Sequence, residues 1–184
     1  MSRIKRLVKS YSRHISIPWR DDIAAAQRVI FCVYNETEEL RLRAKIEEFE
    51  LVTRHAEHGW VVFDLTDTFT IWLSSQRYAV SYFQKPHLLS TLIPKYLDYI
   101  VKEFETFLQN KKSDEHTVVA IKGVGTLFGF LKVKDVVDKL APMVKGRLLI
   151  FFPGDMPSPD NYRLLDGYDG WNYLAIPITA DKDL

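Results

Sequence analysis

The run TVVAIKGVGTLFGFLKVKDVVDKLAPM, from Thr117 to Met143, decides the fold. It opens on Val118, Val119, Ala120 and Ile121, a short apolar run bounded by polar residues. That is the pattern of a strand covered on both faces in the middle of a parallel or mixed sheet. Gly123 and Gly125 follow, where the backbone must turn sharply or approach a neighbour closely. Next comes a helical pattern, with Leu131, Val133, Val136, Val137 and Leu140 on one side and Lys132, Lys134, Asp135 and Lys139 mostly on the other. Strand, glycine turn and helix make half of a βαβ unit. RLLIFF, Arg147 to Phe152, supplies the second strand, and Pro153-Gly154 is expected to close it.

The glycines invite a phosphate-binding reading, which the spacing fails. A dinucleotide fingerprint needs G-x-G-x-x-G, and here the third glycine falls one residue late, at Gly129. A phosphate loop needs G-x-x-x-x-G-K-[ST], but Phe128 stands where its second glycine belongs and no Lys-Ser/Thr pair follows. Without the lysine there is no charge on the phosphates, and without the hydroxyl no magnesium ligand. A structural glycine turn is the better reading.

Composition agrees with one soluble domain, residues 1–184, in which 1–27 form an N-terminal helix and a connection. Hydrophobic residues are 47% and charged residues 27%, ordinary values for a globular chain. The formal net charge of +1 lacks the field of a dedicated nucleic-acid binder, so direct binding to nucleic acid is expected to be weak or absent. Cys32 is the one cysteine, lies inside the apolar run VIFCV and reads as a small buried hydrophobe. Lack of an internal disulfide is compatible with a reducing cytoplasm, and no apolar run approaches the ~20 residues that span a bilayer. The basic start, MSRIKRLVKSYSRH, lacks the apolar core of a signal peptide. It reads as an amphipathic helix with Ile4, Leu7, Val8 and Tyr11 inward.

Further strands are expected at Arg28–Tyr34, Trp60–Leu65 and Asn172–Ile178. A helix is expected over Glu36–His58, opened by Asn35 and ended by Gly59, and another up to about Lys111, kinked or restarted at Pro94. Thr66 is positioned to cap a helix, and Arg77–Pro86 reads as irregular. Strands interleaved with helices imply an α/β fold: a mostly parallel five-stranded sheet with helices on both faces. The last strand is expected to be antiparallel, because no helix-length crossover precedes it.

In such a sheet, ligands bind outside the carboxyl ends of the strands. Those ends offer Tyr34, Asn35 and Glu36; Asp64, Thr66 and Asp67; Lys122 and Gly123; and Pro153, Gly154 and Asp155. Carboxylates near a lysine can bind a metal or act as acid and base, but polar residues also gather there as turn and cap formers. A nuclease of the PD-(D/E)xK type would need an acid where Ala120 stands, two residues before Lys122. His55 and His58 have metal-like spacing without a third ligand. No catalytic, cofactor-binding or metal residue is therefore assigned. Aromatic residues are more suggestive. Tyr168 and Trp171 in DGYDGWNY, with Arg163 before them, and Tyr78, Tyr82 and Phe83 in the irregular segment, are candidate interface anchors.

Taken together, IKGVGTLFGFLKVKDVV, LLIFFPG and YRLLDGYDGWNYLAI resemble the BrxB family of BREX bacteriophage-defence systems, as does the opening VIFCVYNETEELRLRAKI. The residues carrying the likeness are Gly123, Gly125, Phe130, Leu131, Pro153, Gly154 and Arg163. Two positions depart from the expected pattern: Gly129 where proline is anticipated and Lys132 where arginine is common. The resemblance implies a P-loop-type core without its phosphate loop, no cofactor and no catalytic set. It implies a cytoplasmic, non-enzymatic scaffold in an antiphage complex, partnered by a PglZ-like subunit and possibly other BREX proteins. The competing reading is a degenerate nucleotide- or metal-dependent enzyme that uses the strand-end carboxylates with Lys122.

Overall fold

The computed structural model describes residues 2–167 and 170–180. Its elements in chain order are α1 (Arg3–Ile15), β1 (Val29–Tyr34), α2 (Glu39–Arg43), α3 (Ile46–His55), β2 (Gly59–Asp64), α4 (Thr68–Ser74), α5 (Ala79–Gln84) and α6 (Ile93–Lys111). Then follow β3 (Thr117–Lys122), α7 (Val133–Leu140), β4 (Arg147–Ser158), β5 (Asn161–Leu164), β6 (Trp171–Asn172) and β7 (Ile176–Ile178). The protein is a mixed α/β fold. Strands β2-β3-β4-β1-β7 lie side by side in that order, and every pairing among them is parallel.

Alternation along the strands sorts the core into two layers. Phe31, Val119, Ile150 and Phe152 point to one face, where they meet Tyr96, Ile100 and Phe104 of α6 and Val133, Val136 and Val137 of α7. Ile30, Cys32, Val118, Ala120, Leu149 and Phe151 point to the other, under Leu7, Tyr11 and Ile15 of α1 and Phe49 of α3. Strands sandwiched in this way must be apolar at every position. The six residues of β1 are indeed all buried, as are the first eight of β4.

Several expectations are corrected. The last strand β7 runs parallel to β1, pairing Ile30 with Ile176 and Cys32 with Ile178. The chain makes its crossover with strands instead of a helix: β4 does not close at Pro153-Gly154 but continues to Ser158 and pairs antiparallel with β5, which pairs with β6. Among the described residues the sheet therefore has seven strands, not five. Gly154 permits this path, since a Cβ there would lie 2.0 Å from the Arg163 carbonyl oxygen.

The expected helix over 36–58 is interrupted. A 3₁₀ turn, Glu36–Glu38, precedes α2, and Lys45 (φ −117°) separates α2 from α3. Its stop is Glu57, left-handed at φ 64°, while Gly59 already belongs to β2. Thr66 caps no helix; its amide and hydroxyl both donate to Asp64 Oδ1, at 2.9 and 2.6 Å. The segment expected to be irregular contains α5. Pro94 restarts rather than kinks, because it occupies the first turn of α6, where no backbone donor is needed. α7 starts at Val133, after Gly129 has turned the chain at φ 81°, so Leu131 lies in the loop. Among the described residues no helix is long and apolar enough to cross a membrane.

Candidate interaction surface

At the carboxyl edge of the sheet, the polar groups bind one another. Asp64 and Lys122 face each other in register across β2 and β3, with Lys122 Nζ 3.1 Å from Asp64 Oδ2. Burial alone would raise the Asp64 carboxyl, but the Thr66 hydrogen bonds and Lys122 outweigh it and hold the carboxyl below its usual range. Strand order keeps Tyr34, Asn35 and Glu36 away from this pair, since β4 lies between β1 and β3. Asn35 Oδ1 accepts the Thr37 amide at 3.0 Å, and the Tyr34 hydroxyl donates to Glu39. Asp155 is held by Arg163 through two bonds, 3.0 Å from Nε and 2.7 Å from Nη2. A cavity of about 300 Å³ opens beside β1, lined by Arg3, Tyr34, Asn35, Glu38, Asp155 and Thr179. No cluster of three or more metal-ligating side chains occurs among the described residues.

Several of the residues that carry the family likeness, Gly123, Gly125 and Pro153, lie around one turn. Gly123 (φ 80°) lets the Thr66 backbone approach, for a Cβ there would lie 2.7 Å from the Thr66 nitrogen. Gly125 packs under Pro153 and Leu165, whose Cγ and Cδ2 would lie 3.6 and 3.8 Å from a Cβ at this glycine. Leu165 is left-handed at φ 52°, and its amide donates to the Pro153 carbonyl at 2.8 Å. Gly125, Pro153 and Leu165, from three separate stretches of the motif, thus fix how the β3–α7 loop sits against β4 and β5. At Gly129, φ 81° is closed to proline, whose ring holds φ near ~−65°. The departure from the expected pattern is a different turn.

Beyond that turn lies an apolar groove of about 500 Å³, lined by Phe128, Phe130, Leu131, Lys132, Asp166 and Trp171 among others. Phe128 is 45% exposed and Phe130 37%. Phe130 stacks on Phe69 of α4, centroids 4.1 Å apart, and Phe69 abuts Tyr96 at 5.2 Å. A second apolar area lies on α4, α5 and the 3₁₀ turn Pro86–Thr91. There Ile71, Tyr78, Val80, Phe83 and Leu88 are all exposed, Val80 to 69%.

The structure separates the anchors that sequence left unranked. Tyr78 and Phe83 present their rings outward, 57% and 58% exposed, whereas Tyr82 packs partly against the core. Trp171 is half-buried in a ring cluster, with centroids 5.6 to 5.9 Å from Tyr162, Phe152 and Phe31. It walls the groove more than it projects. The Arg163 guanidinium is paired through two nitrogens with Asp155. Tyr168 lies outside the described residues. Sequence reasoning missed Ile71, Val80, Leu88 and Phe128. The available signal was that Ile71 falls off the Phe69-Trp72-Leu73 stripe, and that apolar residues outnumber what a six-residue helix such as α5 can bury.

No curated protein and no solved structure matches this chain. Among protein families, residues 72–175 match the one described as "BREX protein BrxB". The matched span takes in α5, the motif turn, the groove and Trp171. Because it exceeds half of the 184 residues, the chain belongs to the BrxB family of BREX proteins.

Proposed function

We propose that this chain is a non-enzymatic, cytoplasmic component of a BREX antiphage complex that acts by holding other subunits, with a PglZ-like protein as its main partner. The observation that carries the reading is the set of exposed apolar side chains at two places: Phe128 and Phe130 at the groove, and Tyr78, Val80 and Phe83 at α5. Monomeric proteins rarely leave large connected apolar areas in water, and specific interfaces are built on aromatic anchors of this kind. Phe128, Phe130, Tyr78, Val80 and Phe83 all fall within the matched family span. The strand order β2-β3-β4-β1-β7 supports a P-loop-type ancestry. In that case the phosphate loop has been replaced after β1 by Asn35-Glu36-Thr37-Glu38-Glu39, which has no glycine and no lysine.

The test is co-expression with the PglZ-like subunit of the same system, followed by gel filtration at micromolar concentration. A one-to-one complex is expected. Phe83→Ala should weaken it about thirtyfold while leaving the melting temperature nearly unchanged, because the ring it removes is exposed. Separate elution of the two proteins would overturn the reading.

A further inference from the structure

The groove is lined by charges of both signs, Lys132 and Asp166, but the stretch that builds the second apolar area carries one sign. From Thr68 to Leu97 there is no Asp or Glu, while Arg77, Lys85 and Lys95 fall within the same stretch and are exposed. The surface is assembled from that stretch: α5 packs on the Pro86–Thr91 turn, the turn on α6, and α4 on α6. Arg77 lies over the Tyr78 ring, its guanidinium carbon 5.4 Å from the centroid. The chain as a whole carries only +1, so the acids that balance these cations sit elsewhere, for example Glu36, Glu38, Glu39, Glu47, Glu48 and Glu50 around α2 and α3. Those helices cover the opposite face of the sheet.

We infer that this surface takes an acidic amphipathic segment of a partner protein, its apolar side chains against Tyr78, Val80 and Phe83 and its carboxylates on Arg77, Lys85 and Lys95. The inference rests on the interaction role proposed above and adds to it the chemistry of the segment that docks. Charge around an interface rim sets partner choice and association rate through complementarity, and a rim of one sign selects the other. Amphipathic helices bind apolar grooves through residues spaced three and four apart. The exposed set Tyr78, Val80, Phe83 and Leu88 offers apolar contacts to such a row of anchors.

Two other ligands combine apolar contact with negative charge: single-stranded nucleic acid and an anionic membrane. Nucleic acid fits less well. Base stacking needs free aromatic faces, whereas Ile71, Val80 and Leu88 are aliphatic and one face of Phe130 is covered by Phe69. A membrane surface asks for a lysine- and arginine-rich polar face on a long amphipathic helix; α5 is six residues long.

The test titrates the full-length chain against each purified BREX protein of the same system, and separately against a 20-nucleotide oligo(dT) and phosphatidylserine vesicles. Wild type is compared with Phe83→Ala, with Arg77→Glu/Lys85→Glu, and with Lys5→Glu/Lys9→Glu on α1 as a control of equal charge change. Thermal melts establish that each variant is folded. One BREX protein should bind the wild type, and the Arg77/Lys85 reversal should weaken it about tenfold and flatten its salt dependence. The α1 reversal should stay within about twofold. If a complex forms and the Arg77/Lys85 reversal leaves it unchanged, the docking inference falls and the scaffold role stands. If no BREX protein binds, both fall. Micromolar binding of oligo(dT) or vesicles that Phe83→Ala abolishes would also overturn the inference.

Discussion

Gly123 and Gly129 share one backbone conformation, φ 80° and 81°, but not one environment. A Cβ on Gly123 would lie 2.7 Å from both the Thr66 nitrogen and its Oγ1, while one on Gly129 would meet nothing within 4 Å. A left-handed non-glycine residue costs roughly 1–2 kcal/mol by itself. Gly129→Ala should therefore cost about 1 kcal/mol, and Gly123→Ala about 3 kcal/mol, since the Thr66 backbone must also move. Gly129→Pro should be worse than Gly129→Ala, by roughly 2 kcal/mol, because the ring excludes positive φ. Urea midpoints of the three variants measure this directly. Equal losses for the two alanines would show that the Thr66 contact is unimportant to the motif turn.

The packing of α1 on α3 turns on a buried pair of hydroxyls. Thr53 Oγ1 donates to the Phe49 carbonyl at 2.7 Å, so the Tyr11 hydroxyl, 2.7 Å from Thr53 Oγ1, is the donor in their bond. Burial raises the Tyr11 phenol far above its ordinary pKa, and it stays neutral. Thr53→Val leaves that hydroxyl without an acceptor and should cost roughly 2 kcal/mol, the penalty for a buried unsatisfied group. Adding Tyr11→Phe removes the orphan and should restore about half of the loss. A double-mutant cycle in urea checks it, and strict additivity would mean that the hydroxyls are not coupled.

Elements of this kind were legible in the sequence where one residue pattern allowed one structure. The inward set Ile4, Leu7 and Tyr11 defined α1, and the unbroken apolar runs defined β1, β3 and β4. The break between α2 and α3 was not legible, because Leu42, Ile46 and Phe49 keep helical spacing across it. The antiparallel excursion through β5 and β6 was hidden for another reason. It depends on Gly154 meeting the Arg163 carbonyl and Asp155 meeting Arg163, contacts between strands that local pattern does not encode. Likewise Tyr78, Phe83 and Trp171 were nameable from sequence as aromatic candidates, but that Tyr78 and Phe83 are exposed while Trp171 packs on Tyr162 depends on tertiary contacts.

At the scale of the molecule, strand order decides where a ligand of the sheet would bind. The connection from β1 runs through α2 and α3 on one face, and that from β4 runs through β5 on the other, so the crevice between them opens at the carboxyl ends of β1 and β4. In a nucleotide-binding sheet this crevice presents glycine amides, a lysine and a helix N-terminus to phosphate. Here it presents Glu38 and Asp155, with Gly154 drawn against the β5 backbone. Of the cations near it, Arg163 is engaged with Asp155, Arg41 with Glu38 at 3.6 Å and Arg43 with Glu39 at 2.6 Å, while Arg3 lines the cavity itself. A triphosphate would have to displace carboxylates from these arginines. At an effective dielectric of ~20, each like charge left ~4 Å from a phosphate costs about 4 kcal/mol. Calorimetric titration with Mg-ATP should therefore show no binding tighter than about 1 mM. Replacing Glu38 and Glu39 together by Gln should not create a site either, because no glycine amides face the crevice from the β1 loop. A micromolar dissociation constant for the wild type would show that charge comes from an element other than this loop, and would move the crevice back into contention as a working site.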